Sequence, residues 1–166
     1  MTIPVYTFAA YSNVGKTTYI EKLIPFLKEA GLRVAVMKHD SHDLRLDMEG
    51  KDSFRFSSAG ADAVAVVSTN RFVLFEQRPV SLEEAVSHIR NVDVILTEGF
   101  KNGPYPKIAL YRAASGKEMA TAPEECFAIV SDTPMKASCP VFPLDDPQPL
   151  AQYLVQAVRS GMEQGE

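Results

Sequence analysis

The sequence predicts an α/β protein with a mostly parallel sheet, helices on both faces and one antiparallel hairpin. Three stretches predict it. Phe8-Ala9-Ala10-Tyr11-Ser12-Asn13-Val14-Gly15-Lys16-Thr17-Thr18 follows an apolar, β-prone run at 5–9 and leads into a helical pattern, with Ile20, Leu23, Ile24 and Leu27 at three- and four-residue spacing. Residues 32–37, Leu-Arg-Val-Ala-Val-Met, then read as a second buried strand, so the chain opens with a right-handed strand–helix–strand unit. Val92-Asp93-Val94-Ile95-Leu96-Thr97-Glu98-Gly99-Phe100-Lys101 is a further apolar strand that ends in an acidic residue and a glycine.

The first stretch carries chemistry. Strand, turn and helix with Gly-Lys-Thr at the helix start is the setting of a phosphate-binding loop of the Walker A kind, and hence of a three-layer fold like that of phosphate-loop NTPases. The first turn of a helix has unpaired N–H groups and a partial positive charge, so it holds an anion. Ser12, Asn13, Val14, Gly15, Lys16, Thr17 and Thr18 are the candidate nucleotide-binding residues. Gly15 lets the backbone approach phosphate oxygens, Lys16 places a charge on the β- and γ-phosphates, and Thr17 offers a hydroxyl to magnesium. Ala10 stands where the usual spacing has glycine, and a positive φ there would strain it. The plain alternative is a βα turn with a helix-capping lysine.

Whole-chain properties bound the rest. The 166 residues suit one domain over 1–160 with a frayed tail at 161–166. With 46% hydrophobic and 23% charged residues the composition is that of an ordinary globular protein, and a net charge of -4 argues against a nucleic-acid surface. No run is long enough to span a membrane and no signal-peptide pattern opens the chain. Cys126 and Cys139 lack metal-ligand spacing and read as buried thiols of a cytoplasmic protein.

Taken in order, the first helix covers 16–30 and stops at Gly31. Lys38-His39-Asp40-Ser41-His42-Asp43 follows the second strand, at the sheet edge where such folds bind ligands. Asp40 can hold magnesium through water, and His39 or His42 can contact substrate; a solvated loop explains the histidines equally well. His39-x-x-His42 also permits zinc, but no cysteine or third histidine lies near in sequence.

A helix is expected from Lys51, ending by Gly60. Asp47, Lys51, Asp52 and Arg55 are either helix-surface ion pairs or a switch segment near the γ-phosphate. Residues 63–67 and 72–75 form a hairpin. Ser81-Leu82-Glu83-Glu84 is a capping box that starts a helix reaching Arg90, and His88 on it is structural or exposed.

Glu98 ends the strand of the third stretch. A carboxylate at such a place holds magnesium, often through water, or orients a water, which makes Glu98 with Lys16 the candidate catalytic pair and Thr17, Asp40 and Glu98 the candidate metal residues. Lys101 just beyond is a candidate substrate or switch contact. Residues 107–111 and 127–130 are further strands, with an irregular 113–125 between them. Asp132 can accept from guanine N1 and N2, or simply form a turn. After a short strand at 141–142, Asp146 caps a last helix that begins with Pro147.

Several segments together resemble the molybdopterin-guanine dinucleotide biosynthesis protein B (MobB-type) family. They are Tyr11 to Thr18, Lys38-His39-Asp40-x-His42, Asp47-x-x-Gly50-Lys51-Asp52-Ser53-x-Arg55, Ala59-Gly60-Ala61 and Thr97-Glu98-Gly99-Phe100-Lys101. The phosphate loop is shared by very many proteins; the Gly-Lys-Asp-Ser-x-Arg and Glu-Gly-Phe-Lys segments in this order are more specific. The likeness runs over about 5–130, with Ala10 in place of the family's glycine and Val14 in place of a smaller residue. It implies a GTP- and magnesium-binding accessory protein of molybdenum-cofactor biosynthesis: a weak GTPase at most, homodimeric, acting with the guanylyltransferase that joins GMP to molybdopterin. The alternatives are a small-molecule kinase, another triphosphate-dependent metallochaperone-like protein, or a non-catalytic interaction module. A kinase also needs an acceptor pocket and usually a lid carrying arginines; Arg45 and Arg55 are available, but the sequence shows no arginine-rich lid.

Overall fold

In the computed structural model, residues 2–40 and 49–161 are described. They form two compact units, one built from the chain up to His39 and from Ser87 onward, the other Asp40–Val86.

The larger unit is a six-stranded sheet in the order β2-β5-β1-β6-β7-β8. The strands are β1 (Val5–Ala9), β2 (Val34–Lys38), β5 (Val94–Glu98), β6 (Lys107–Tyr111), β7 (Cys126–Ser131) and β8 (Val141–Pro143), and every pairing among them is parallel. All six strands therefore end at one edge. β1 is central, with Phe8 level with Glu98 of β5 on one side and with Ile108 of β6 on the other.

The inner strands β5, β1, β6 and β7 read as near-continuous apolar runs because both faces are covered, while the edge strands β2 and β8 stay partly exposed. On one face Tyr6, Phe8, Val94, Leu96, Ile108, Leu110, Ala128 and Val130 meet α1 (Lys16–Glu29) and α4 (Gln148–Ser160). Leu23 and Leu27 of α1 and Leu150 and Leu154 of α4 are fully buried there, and truncating any one to alanine costs about 2–5 kcal/mol. On the other face Met119, Met135, Ala137 and Cys139, from the loops around β7, pack over Ala109, Cys126 and Ile129. Between β1 and β5 that face also carries two threonines in register, Thr7 and Thr97, whose fully buried hydroxyls bond each other over 2.9 Å. Each thus satisfies a group that would be expensive to bury alone.

Several boundaries differ from the sequence reading. α1 ends in a Schellman motif: Gly31 N–H donates to the Lys28 carbonyl and Leu32 N–H to that of Leu27. Leu32 closes the helix, so β2 starts at Val34 rather than 32. Arg33 between them grips Asp93 with its backbone N–H (2.7 Å), Nε (3.0 Å) and Nη2 (2.7 Å), which joins the starts of β2 and β5. α4 starts at Gln148, one residue after the expected Pro147, and the expected Asp146 bond is present, its Oδ1 accepting from the Gln148 N–H.

The smaller unit holds α2 (Asp52–Ser58) and the antiparallel pair β3 (Ala63–Val67) and β4 (Phe72–Glu76). Gly60 and Ala61 leave α2 by the same two hydrogen bonds that close α1, to Ser57 and Phe56. Gln77 Nε2 then ties the end of the hairpin to the Ser57 and Ala61 carbonyls. α3 (Leu82–His88) spans the boundary between the units in sequence and stops short of Arg90. Its cap is the expected one, with Glu84 N–H donating to Ser81 Oγ, but the Glu84 carboxylate also pairs with Arg78 at 2.6 Å. His88 is exposed.

Candidate functional site

The loop 10–15 joins the end of β1 to α1 at the carboxyl edge of the sheet. The strain expected at Ala10 is absent, because the loop's positive φ values fall on Asn13 (67°) and Gly15 (101°). Asparagine tolerates that region better than most residues, so the alanine substitution is harmless to the backbone. Val14 is buried at 3% exposure and joins the core with Phe8, Tyr19 and Ile20, so its branched side chain anchors the loop from below. Gly15 precedes the first helical residue, and its carbonyl accepts the Tyr19 N–H at 2.9 Å. Ser12, Asn13, Thr17 and Thr18 are exposed and Lys16 is half-buried, so none of these five is committed to the core.

The β5 side supplies the carboxylate. Thr17 Oγ1–H donates to Glu98 Oε1 over 2.6 Å. His39 reaches the same place by its backbone, its N–H donating to the Glu98 carbonyl at 2.8 Å, and its ring lies 4.7 Å from that of Phe100. Gly99 between them has φ 99°, and a Cβ there would stand 2.9 Å from His39 Cβ. Any side chain would push the β2 end away from the β5 end, a physical reason for the Glu-Gly pair. Lys101 Nζ lies 5.4 Å from the centre of the Tyr11 ring, a cation–π contact onto the loop.

The β6 side supplies two cations that the sequence reading missed. Arg112 follows β6 directly, and its Nε–H donates to the Val14 carbonyl at 3.0 Å. Lys117 Nζ donates to the Ser12 carbonyl at 2.7 Å. Asp132, at the end of β7, accepts the Ala113 N–H on Oδ1 at 2.8 Å. Asp132 thus anchors the 112–117 segment across 19 residues of chain, by a bond that is not a local turn. Asp132 also lines an open hollow of about 280 Å³ with Thr133, Phe142 and Asp145. The only sequence signal for Arg112 was its place just past a strand, which means nothing until β6 is known to neighbour β1.

Lys16, Lys101, Arg112 and Lys117 thus gather at one loop of an acidic chain, with Glu98 on Thr17 opposite. The donor set fits a magnesium ion. The Thr17 hydroxyl and the Glu98 carboxylate are both hard oxygens, and an ion that keeps several of its waters can take one directly and the other through water.

Asp40, Lys51, Asp52 and Arg55 belong to the smaller unit, where Arg55 Nη1 lies 3.4 Å from Asp52 Oδ1, an exposed i,i+3 pair of the kind helix surfaces carry. Lys51 precedes α2 and accepts the Arg55 N–H on its carbonyl. His42, Arg45, Asp47 and the tail after 161 lie outside the described residues. Among the described residues no three His, Cys, Asp or Glu side chains cluster as metal ligands, and no helix is long and apolar enough to cross a membrane. Both cysteines are free; burial pushes the Cys126 thiol up to about 11 and raises that of Cys139.

Known proteins of one kind resemble this chain. Residues 5–132 match the family model of molybdopterin guanine dinucleotide synthesis protein B. The chain is 35% identical over 162 residues to the molybdopterin-guanine dinucleotide biosynthesis adapter protein of Escherichia coli, covering 93% of each chain. It is 37% identical over 138 residues to that of Haemophilus influenzae, covering 81% of this chain and 78% of the other. The crystal structure of Bacillus subtilis MobB superposes with a TM-score of 0.73 at 30% identity, over 99% of this chain and all of that one.

Proposed function

This chain is a member of the molybdopterin guanine dinucleotide synthesis protein B family, and from that membership we propose that it is a GTP-binding adapter in the biosynthesis of molybdopterin guanine dinucleotide. The observation that carries the nucleotide part is the Thr17 hydroxyl on Glu98, at the mouth of a Gly-Lys-Thr helix start. That is the pairing of loop and neighbouring strand end which a hydrated triphosphate needs.

Each residue has a physical task in this reading. The amides of the loop and of the first turn of α1 hold the polyphosphate. Lys16 neutralises the β- and γ-oxygens, while Thr17 and Glu98 would hold magnesium, with Glu98 through water. Bound there, the ion would screen the charge that builds on the phosphates. The base lies toward Asp132, whose Oδ1 is engaged by Ala113, leaving Oδ2 to accept from guanine. Hydrolysis is slow, since a partner is needed to complete the site. That partner is the guanylyltransferase joining GMP to molybdopterin. The adapter works as a homodimer in the cytoplasm.

The relatives named as adapters weigh against the kinase reading. The test is titration of GTP, ATP and GDP with magnesium, followed by molybdopterin guanine dinucleotide formation by the guanylyltransferase with and without this protein. Preference for GTP and faster product formation are expected. Nucleotide binding with no effect on the transferase would end the adapter reading and leave the nucleotide site standing.

A further inference from the structure

The carbonyl of Val14 and the N–H of Gly15 belong to one peptide unit, as do the carbonyl of Ser12 and the N–H of Asn13. A trans peptide is planar, so its carbonyl and N–H point in opposite directions. Arg112 Nε takes the first carbonyl at 3.0 Å and Lys117 Nζ the second at 2.7 Å. Both cations therefore sit behind the loop, and both hold it with its amides turned to the other side.

The segment that carries them is itself fixed. Ala113 N–H is bonded to Asp132 Oδ1 at 2.8 Å, and Ser115 Oγ–H donates to the Arg112 carbonyl at 2.7 Å within a 3₁₀ turn, Ala113–Ser115. Arg112 pairs with no carboxylate among the described residues, and its Nε–H is given to the loop. Its Nη2 stands 3.2 Å from where a Gly15 Cβ would be, so fork and glycine fit each other closely.

Taking the loop as the nucleotide site argued above, we propose that Arg112 and Lys117 are positioning residues, a cationic strap that fixes the peptide units 12–13 and 14–15 so that the Asn13 and Gly15 amides are set for a polyphosphate before it arrives. The gain is preorganisation: peptide units already oriented need no ordering when the ligand binds. The two positive charges also raise the potential at the loop without touching the ligand.

The test compares Arg112→Ala, Arg112→Lys and Lys117→Ala with the unmutated protein. Two readouts are used: amide spectra of the ligand-free protein, and binding of GTP, GDP and tripolyphosphate. Arg112→Ala should displace or broaden the Gly15 amide resonance while those of β1 and of the body of α1 stay. It should weaken all three ligands about tenfold, the order of one charge-assisted hydrogen bond, including tripolyphosphate, which has no base. Arg112→Lys should restore part of the loss, and Lys117→Ala should act on the Asn13 amide. A folded Arg112→Ala with unchanged Gly15 resonance and unchanged affinity overturns the strap. Should that variant fail to fold, Lys117→Ala with an undisturbed Asn13 amide does the same. If the unmutated protein binds none of the three ligands, the nucleotide reading fails, and the ligand-free spectra still decide whether the strap orients the loop.

Discussion

The Thr17 hydroxyl rests on the Glu98 carboxylate at 2.6 Å, across 81 residues of chain. The contact exists because β5 is the parallel neighbour of β1, with Phe8 level with Glu98, so the strand ends where the loop begins. Removing the Glu98 charge while keeping its shape should therefore touch hydrolysis more than binding. Glu98→Gln is expected to lower single-turnover GTP hydrolysis on the order of 100-fold, with affinity nearly unchanged because Lys16 and the loop amides carry it. Rates equal to the unmutated protein, with and without partner, would leave Glu98 as a mere strand end.

Lys16→Ala should lose about 10- to 100-fold in triphosphate affinity with its melting temperature preserved, since the side chain belongs to the loop edge rather than the core. Thr17→Ala should instead weaken the magnesium dependence of binding more than the binding of magnesium-free nucleotide. Calorimetry with and without magnesium separates the two; unchanged GTP binding by Lys16→Ala contradicts the assignment.

The hairpin β3–β4 leaves Val67 74%, Phe72 66% and Leu74 44% exposed, on one face of a two-stranded sheet with open edges. Such a surface invites cover by another chain. The protein is expected to sediment as a dimer at micromolar concentration, and Val67→Asp with Phe72→Asp to shift it to monomer. A monomer mass for the unmutated protein at every concentration would exclude this interface.

Arg33, by its side-chain hydrogen bonds first, then its backbone N–H and lastly its charge, holds the Asp93 carboxyl down at about 2. A depressed carboxylate pKa contributes stability that is fully present above the unfolded value of roughly 3.9 and is lost as pH falls through the folded one. Urea midpoints should therefore decline between about pH 4 and pH 2 in part through this pair. Asp93→Asn should be less stable at pH 7 and show a shallower decline over that window. Parallel curves for the two proteins would remove the pair from acid sensitivity.

What the sequence by itself determined is local. Gly-Lys-Thr after an apolar run, the glycine stop at Gly31, the Ser81 cap and the Asp146 cap are set by residues within a turn of one another, and the structure contains each of them. The apolar strand ending at Glu98 was legible for the same reason, and so was the hairpin, from two apolar runs and a polar turn. The consequences of Ala10 and Val14 were not, because they depend on which loop residues carry positive φ and on which way a side chain faces; the structure moves the first to Asn13 and Gly15 and turns Val14 into the core. Arg112, Lys117 and the anchoring role of Asp132 were decided by tertiary structure alone. Each acts across a gap in sequence that only strand order closes, and the order β5-β1-β6-β7 comes from packing apolar strands between two covered faces, a property of the whole sheet that no single stretch encodes.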